Sequence, residues 1–237
     1  MFEKSTYYSY TAQKNKRQRL IKFLVFFFIL LIVYNCITSF FFSVWVVENN
    51  TMQPGLNAGD RLLFSSMSKW NKNEENQFNF NRSSIVLVDM RQEIEQNFFL
   101  RIIDGICRFF TAQRVSIFSG RGQFYIKRVI ALGGDEISMN NNVFRVKTAN
   151  SSFTLTEYEL AGKPYHTVIP QGNDLWDSSI PFSGTMETIL LGPDEIFVVS
   201  DDRSNTNDSR TWGPIPPSMI RARAVLRFWP LSKIELF

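Results

Sequence analysis

From Phe23 to Val47 the chain carries no charged residue: FLVFFFILLIVYNCITSFFFSVWVV. About 20 consecutive apolar residues suffice to cross the hydrocarbon core of a bilayer as a helix. The run therefore predicts a transmembrane helix over 23–47. Lys4, Lys14, Lys16, Arg17, Arg19 and Lys22 precede it against Glu3 alone, and Glu48 follows. Basic residues flank a span on its cytoplasmic side, so residues 1–22 are expected inside and 48–237 outside. A cleaved leader is the rival reading. Its apolar stretch is normally shorter and ends at small residues, whereas Tyr34 and Asn35 precede Cys36 and no Ala-x-Ala-like site follows. The expectation is an uncleaved, single-pass anchor in the cytoplasmic (inner) membrane.

Lys and Arg number 26 against 22 Asp and Glu, a net charge of +4. The excess sits in the N-terminal tail, so the rest of the chain is close to neutral. That argues against a nucleic-acid surface, which needs basic residues clustered on a folded domain. It suits a tail beside a lipid bilayer. The two cysteines, Cys36 and Cys107, fall in the predicted span and in the outer part. No disulfide between them is expected.

Beyond the apolar run the pattern is one of short strands. RLLFSS (61–66), SIVLVDM (84–90), QFYIKRVIAL (123–132), NVFRV (142–146), SFTLTEYEL (152–160), EIFVVS (195–200) and RAVLRFW (223–229) are rich in β-branched and aromatic residues. Gly, Pro, Asn and Asp clusters separate them. The fold class is mostly β, with residues 139–194 read as an insertion between better-defined segments. One helical pattern stands out at 97–114, where Arg101, Asp104 and Arg108 fall on one stripe. Its wide apolar arc fits a buried helix or one lying on a membrane surface. The Asn-rich stretch 69–84 reads as an exposed loop.

Reactive groups are few. The single histidine, His166, lies in the Pro-flanked loop GKPYHTVIP and reads as a surface residue. A zinc site would need several such ligands. Cys107 sits in an apolar pattern and reads as a small hydrophobe. Elimination leaves hydroxyl nucleophiles with a lysine base, or no catalysis. A lysine base must be neutral, so burial must bring its pKa down from about 10.4. In QFYIKRVIAL, alternation puts Tyr125, Lys127 and Val129 on one face and Ile126 and Arg128 on the other. Either one charge faces an interior or cleft, or the strand is an edge and both snorkel to water. The segment SDDRSNTNDSRTWGPIP (200–216) gathers acids, arginines and hydroxyls that can lock a loop. A solvated loop is the alternative.

Three stretches in order carry a resemblance to the bacterial type I (leader) signal peptidases. NNTMQPGLNAGD resembles that family's Ser-Met-x-Pro-Thr-Leu segment, and YIKRVIALGGD its Lys-Arg-Val-x-Gly-x-Pro-Gly-Asp segment. SDDRSNTNDSRTWGPIP resembles its Gly-Asp-Asn-Arg-x-x-Ser-x-Asp-Ser-Arg segment. SIVLVDM and the final ARAVLRFWPLSKI fit more weakly. The likeness covers most of 20–237, leaving out 66–83, 91–120 and 139–194.

The resemblance implies an antiparallel β peptidase domain carrying a β insertion and cleaving signal peptides from exported preproteins. It implies no metal and no cofactor. It places Thr51 as nucleophile, Lys127 as general base and Thr206 as the hydroxyl that orients the base. Asn49 falls near the oxyanion, and Asp208 with Arg210 forms a structural ion pair. Ile126 and the strand residues Ile85, Val86, Leu87 and Val88 line the substrate groove. The chain departs from the pattern with Thr at 51 and 206 where the family has Ser. It also has Ser83-Ser84 for Gly-Asp and Ala131-Leu132-Gly133 for Gly-x-Pro. The alternative class is a non-catalytic paralogue that binds exported or membrane proteins through the same groove.

Overall fold

The computed structural model describes residues 3–40, 42–66, 81–90, 103, 124–170, 180 and 183–237, with the side chains of the first helix described over 13–34. The chain splits into two units, one holding the first helix and the other starting at Phe42 and holding the strands.

The apolar run is divided between them. Glu3–Phe40 forms α1, and Phe42–Val46 forms the strand β1. The predicted 23–47 helix is corrected here. Near its end, FSVWV is β-branched or aromatic at all but Ser43, and it pairs antiparallel with β2 (Arg61–Ser66) from Phe42↔Ser65 to Val46↔Arg61. Val47 continues the link, its N–H donating to the Asp60 carbonyl at 2.9 Å. Among the described residues, no helix is long and apolar enough to cross a membrane. The part of α1 whose side chains are described opens on a basic segment, Lys14 to Lys22, and becomes apolar after it. Phe23, Phe26 and Phe28 there are each more than 60% exposed.

The larger sheet has the order β1-β2-β10-β3-β4-β9, with β11 pairing β10. Here β3 is Ile85–Asp89, β4 Phe124–Ala131, β9 Phe197–Val199, β10 Ile220–Trp229 and β11 Glu235–Leu236. All named pairings are antiparallel. Register shifts in β10 at Ala224/Leu226 and Arg227/Trp229 let the long strand bend while pairing β2. One face buries Met52, Leu56, Leu62, Phe64, Ile85 and Leu87; a second cluster gathers Val86, Val88, Val129, Ile196 and Val198.

A second sheet of order β7-β6-β5-β8 is built from β5 (Glu136–Asn140), β6 (Val143–Lys147), β7 (Thr154–Thr156) and β8 (Met186–Leu190). The β5–β6 hairpin turns on two residues, Asn141 and Asn142, with φ of 50° and 60°. Asparagine tolerates this left-handed backbone better than other non-glycine residues, and the twist of such turns matches the strands. At the end of β4, a Cβ on Gly133 would lie 2.2 Å from the Pro193 carbonyl oxygen, so only glycine fits that close approach.

Several expectations change. Strands β5 and β8 went unpredicted, and the 152–160 strand shortens to Thr154–Thr156. The 97–114 helix, Ile103 apart, and the loop 69–84 before Asn81 lie outside the described residues.

Phe64 is fully buried on β2 between β1 and β10. Phe64→Ala is expected to destabilise the protein by about 3–5 kcal/mol, measured by denaturant unfolding, because it leaves a cavity among side chains that cannot all collapse inward.

Candidate active site

Lys127 lies in the middle of β4, opposite Val86 on β3. Since β4 is paired on both sides, it is not an edge, and neither of its charges reaches bulk water. Lys127 is 1% exposed and Arg128 7%. The snorkelling alternative therefore fails for both. The Lys127 Nζ stands 5.7 Å from the Tyr125 ring and 5.6 Å from the Trp212 ring. It donates to Ser200 Oγ at 2.6 Å. Burial pulls the Lys127 ammonium down to about 8; Asp208 raises it, Arg210 lowers it and Asp201 raises it.

Arg128 is satisfied by the neighbouring loop. Its Nε and Nη2 donate to the two Asp201 carboxylate oxygens at 2.7 and 2.6 Å. Its Nη1 donates to the Ser83 carbonyl at 2.7 Å, and the Tyr165 ring stacks 3.9 Å from the guanidinium. Ser83 holds a φ of 69°, the backbone shape that glycine adopts most easily. This is one of the positions where the sequence departs from the family pattern.

Asp208 organises the 200–210 loop. It caps the short helix α2 (Ser209–Trp212) by accepting from the Arg210 N–H at 3.1 Å, and it accepts from the Ser200 N–H at 2.9 Å. Arg210 Nη2 pairs with Asp208 Oδ2 at 2.8 Å, and its Nη1 donates to the Arg203 carbonyl at 2.8 Å. Burial works against the Asp208 carboxylate, but the bonds and charge of Arg210, the Ser200 N–H and Lys127 hold it below its ordinary range. Arg203, also buried, pairs with Glu157 of the second-sheet segment. Glu157 further accepts from the Tyr165 hydroxyl at 2.7 Å and from the Phe144 N–H at 3.1 Å.

Thr51 is half-buried. Its carbonyl accepts from the Asp202 N–H at 3.0 Å, and its hydroxyl donates to Asn49 Oδ1 at 2.7 Å. Met52 is fully buried beside Leu56, and the Leu56 N–H closes the turn onto the Met52 carbonyl at 2.8 Å. Thr51 and Lys127 are thus tied to nearby residues of one loop, the first through Asp202 and the second through Ser200. Among the described residues they share no direct hydrogen bond.

The other expected residues fall as follows. Thr206 is buried, and its carbonyl accepts from the Thr211 hydroxyl at 2.6 Å and from the Asp208 N–H at 2.8 Å. The hydroxyl bonded to Lys127 belongs to Ser200, not to Thr206. Asn49 presents its carbonyl oxygen to Thr51; its amide nitrogen makes no bond among the described residues. Ile85, Val86, Leu87 and Val88 are all buried in a strand paired on both edges, while Ile126, opposite Leu87, is half-buried. His166 is exposed. It lines a shallow pocket of about 320 Å³ with Tyr158, Pro164, Tyr165, Thr167 and Ile169, which includes neither Thr51 nor Lys127. Ser200 escaped the sequence analysis. The available signal was its place at the head of SDDR, where the resembling motif begins with Gly.

A family model described as "Signal peptidase, peptidase S26" matches residues 20–229. The chain belongs to the signal peptidase family. Among curated members it is 25% identical to "Signal peptidase I P" of Bacillus subtilis subsp. natto, over 95% of this chain and 98% of that protein. It is also 25% identical to "Signal peptidase I" of Bacillus caldolyticus, over 94% of this chain and 97% of that one. "Probable signal peptidase I-1" of Synechocystis sp. is 30% identical over 47% of this chain. The chain matches 46% of that relative's length, and 26% of "Thylakoidal processing peptidase 1, chloroplastic" of Arabidopsis thaliana.

In this signal peptidase family member, Asp201→Ala removes the partner of a buried guanidinium. An uncompensated buried charge costs about 3–5 kcal/mol. Equilibrium unfolding of the variant is expected to show a loss of that size, with Asp201→Asn intermediate.

Proposed function

We propose that the protein is a membrane-bound endopeptidase that removes N-terminal signal peptides from exported preproteins, with Thr51 as nucleophile and Lys127 as general base. The observation that carries the reading is Lys127, a lysine buried against aromatic rings with its pKa brought down to about 8. A lysine in that state has a substantial neutral fraction near physiological pH and can take a proton. No metal or cofactor has a part in the scheme.

In the reaction the Thr51 hydroxyl exchanges its bond to Asn49 for one to the neutral Lys127 amine. Lys127 takes the hydroxyl proton as the Thr51 oxygen bonds to the scissile carbonyl carbon. The C–N bond then breaks, and the Lys127 ammonium returns a proton to the departing amine. Water, deprotonated by Lys127, hydrolyses the Thr51 ester and frees the signal peptide. Asn49, with its amide nitrogen unengaged, donates to the developing oxyanion. Thr206 and the Asp208–Arg210 pair hold the loop around the base. Ile126 contacts the small residues before the cleavage site, with Ile85 to Val88 as the packed strand beside it. Threonine adds a methyl to the nucleophile, which restricts χ1 but leaves the hydroxyl.

Thr51→Ala and Thr51→Val are expected to lose cleavage of a model preprotein by roughly a thousandfold or more. Thr51→Val keeps the β-branched shape and removes only the hydroxyl. Thr51→Ser retains activity. Lys127→Arg abolishes it, because guanidinium stays protonated. Wild-type activity rises with pH through about 8, as the Lys127 ammonium loses its proton. Cleavage by Thr51→Val at the wild-type rate removes Thr51 from the mechanism. A protein inactive on every preprotein, whose Thr51→Val form still binds peptide, is the non-catalytic paralogue.

The exposed apolar side chains of α1 between Leu20 and Tyr34 require an apolar covering, and the reading gives them lipid. The basic residues before Phe23 place the N-terminus in the cytoplasm. Protease added outside spheroplasts should then digest the chain beyond Val47. Protection of that part, with loss of the N-terminal tail, reverses the orientation.

A further inference from the structure

We infer that Ser200 is the positioning residue of the base: its hydroxyl holds the Lys127 nitrogen and fixes where the amine aims its lone pair. The inference rests on the reading of Lys127 as general base. Ser200 Oγ is the one polar atom that Lys127 bonds among the described residues, at 2.6 Å. Both residues are buried, Ser200 at 0% exposure and Lys127 at 1%. Its full burial sets the Ser200 hydroxyl apart from that of Thr51, which is only half-buried.

Ser200 is itself held on both sides. Its N–H is bonded by Asp208 Oδ2 at 2.9 Å, and the next residue, Asp201, is locked by two bonds from Arg128. The hydroxyl therefore starts from a fixed backbone. A neutral lysine amine has two N–H groups and one lone pair, and rotation about Cε–Nζ decides which of them faces the nucleophile. The rings of Tyr125 and Trp212 and the facing Val86 offer no strong acceptor. One N–H fixed on Ser200 removes that rotation.

The same bond bears on the protonated state. An ammonium needs acceptors more than an amine does, so an accepting hydroxyl favours the charged form. The charged groups around Lys127 are Asp208, Arg210 and Asp201 on the 200–210 segment, and Arg128 next to it on β4. All of these remain when the Ser200 hydroxyl is removed. Its loss then lowers the Lys127 pKa further and leaves the amine free to turn.

The test uses the full chain carrying Ser200→Ala or Ser200→Gly, two variants that delete the hydroxyl with different backbone consequences. Preprotein cleavage is followed across pH, and Lys127 is titrated by NMR in ¹³C-lysine-labelled protein, its signal assigned by its absence in Lys127→Arg. In both variants the Lys127 midpoint is expected to fall by roughly one pH unit. The plateau kcat should fall roughly tenfold with KM unchanged. An unmoved midpoint, or a wild-type plateau, overturns the inference; a lower plateau with an unmoved midpoint is simple structural damage and overturns it too. Cleavage retained by Lys127→Arg would instead defeat the base assignment itself, a distinct outcome.

Discussion

The twofold bond between Arg128 and Asp201 is the interaction on which the site depends. Strand β4 carries two consecutive basic residues into the interior of a sheet, where an arginine, which keeps its proton, is tolerated only if closely paired. Arg128 is paired by drawing the 200–210 loop against the strand. Asp201 is fixed by that bond, so Ser200 before it meets Lys127 and Asp202 after it meets the Thr51 carbonyl. The placement of three functional segments thus follows from the need to satisfy one buried guanidinium.

The contrast between the adjacent cations is instructive. Arg128 has a bidentate carboxylate partner, whereas among the described residues Lys127 has a hydroxyl and aromatic rings. A carboxylate free to act on Lys127 would hold it protonated. Asp208 has the largest influence of that kind, but its charge is already engaged by Arg210. The Arg210 charge beside Asp208 acts on the lysine in the opposite sense. Burial then dominates, and the ammonium moves down rather than up.

Much of the larger sheet was legible because its strands are short β-branched and aromatic runs with polar turns between them. The match at Arg61–Ser66 is residue for residue. The end of α1 and the start of β1 were not legible. FSVWV continues the uncharged run that begins at Phe23 within α1, and its pairing with β2 marks it as strand. Strands β5 and β8 were missed because EISMN and METIL mix polar and apolar residues without strong β character. Within the site, the burial of Lys127 was readable as one of two alternatives from alternation alone. Its hydroxyl partner was not, since Ser200 and Thr206 stand in one loop and only the backbone path decides which reaches the nitrogen.

The buried Glu157 joins the second sheet to this machinery by accepting from Arg203 and Tyr165, while Tyr165 stacks on Arg128. Evolution is thereby restricted in an uneven way. Exposed positions in and beside the second sheet, such as Phe153 and Leu190, can exchange residues with little consequence for the reaction. The stretch from Glu157 to Tyr165 cannot, because a shift of its register would strip the partner from one arginine and the aromatic cover from another. Lineages that lengthen or trim this sheet are expected to keep that short stretch in step with the loop it braces.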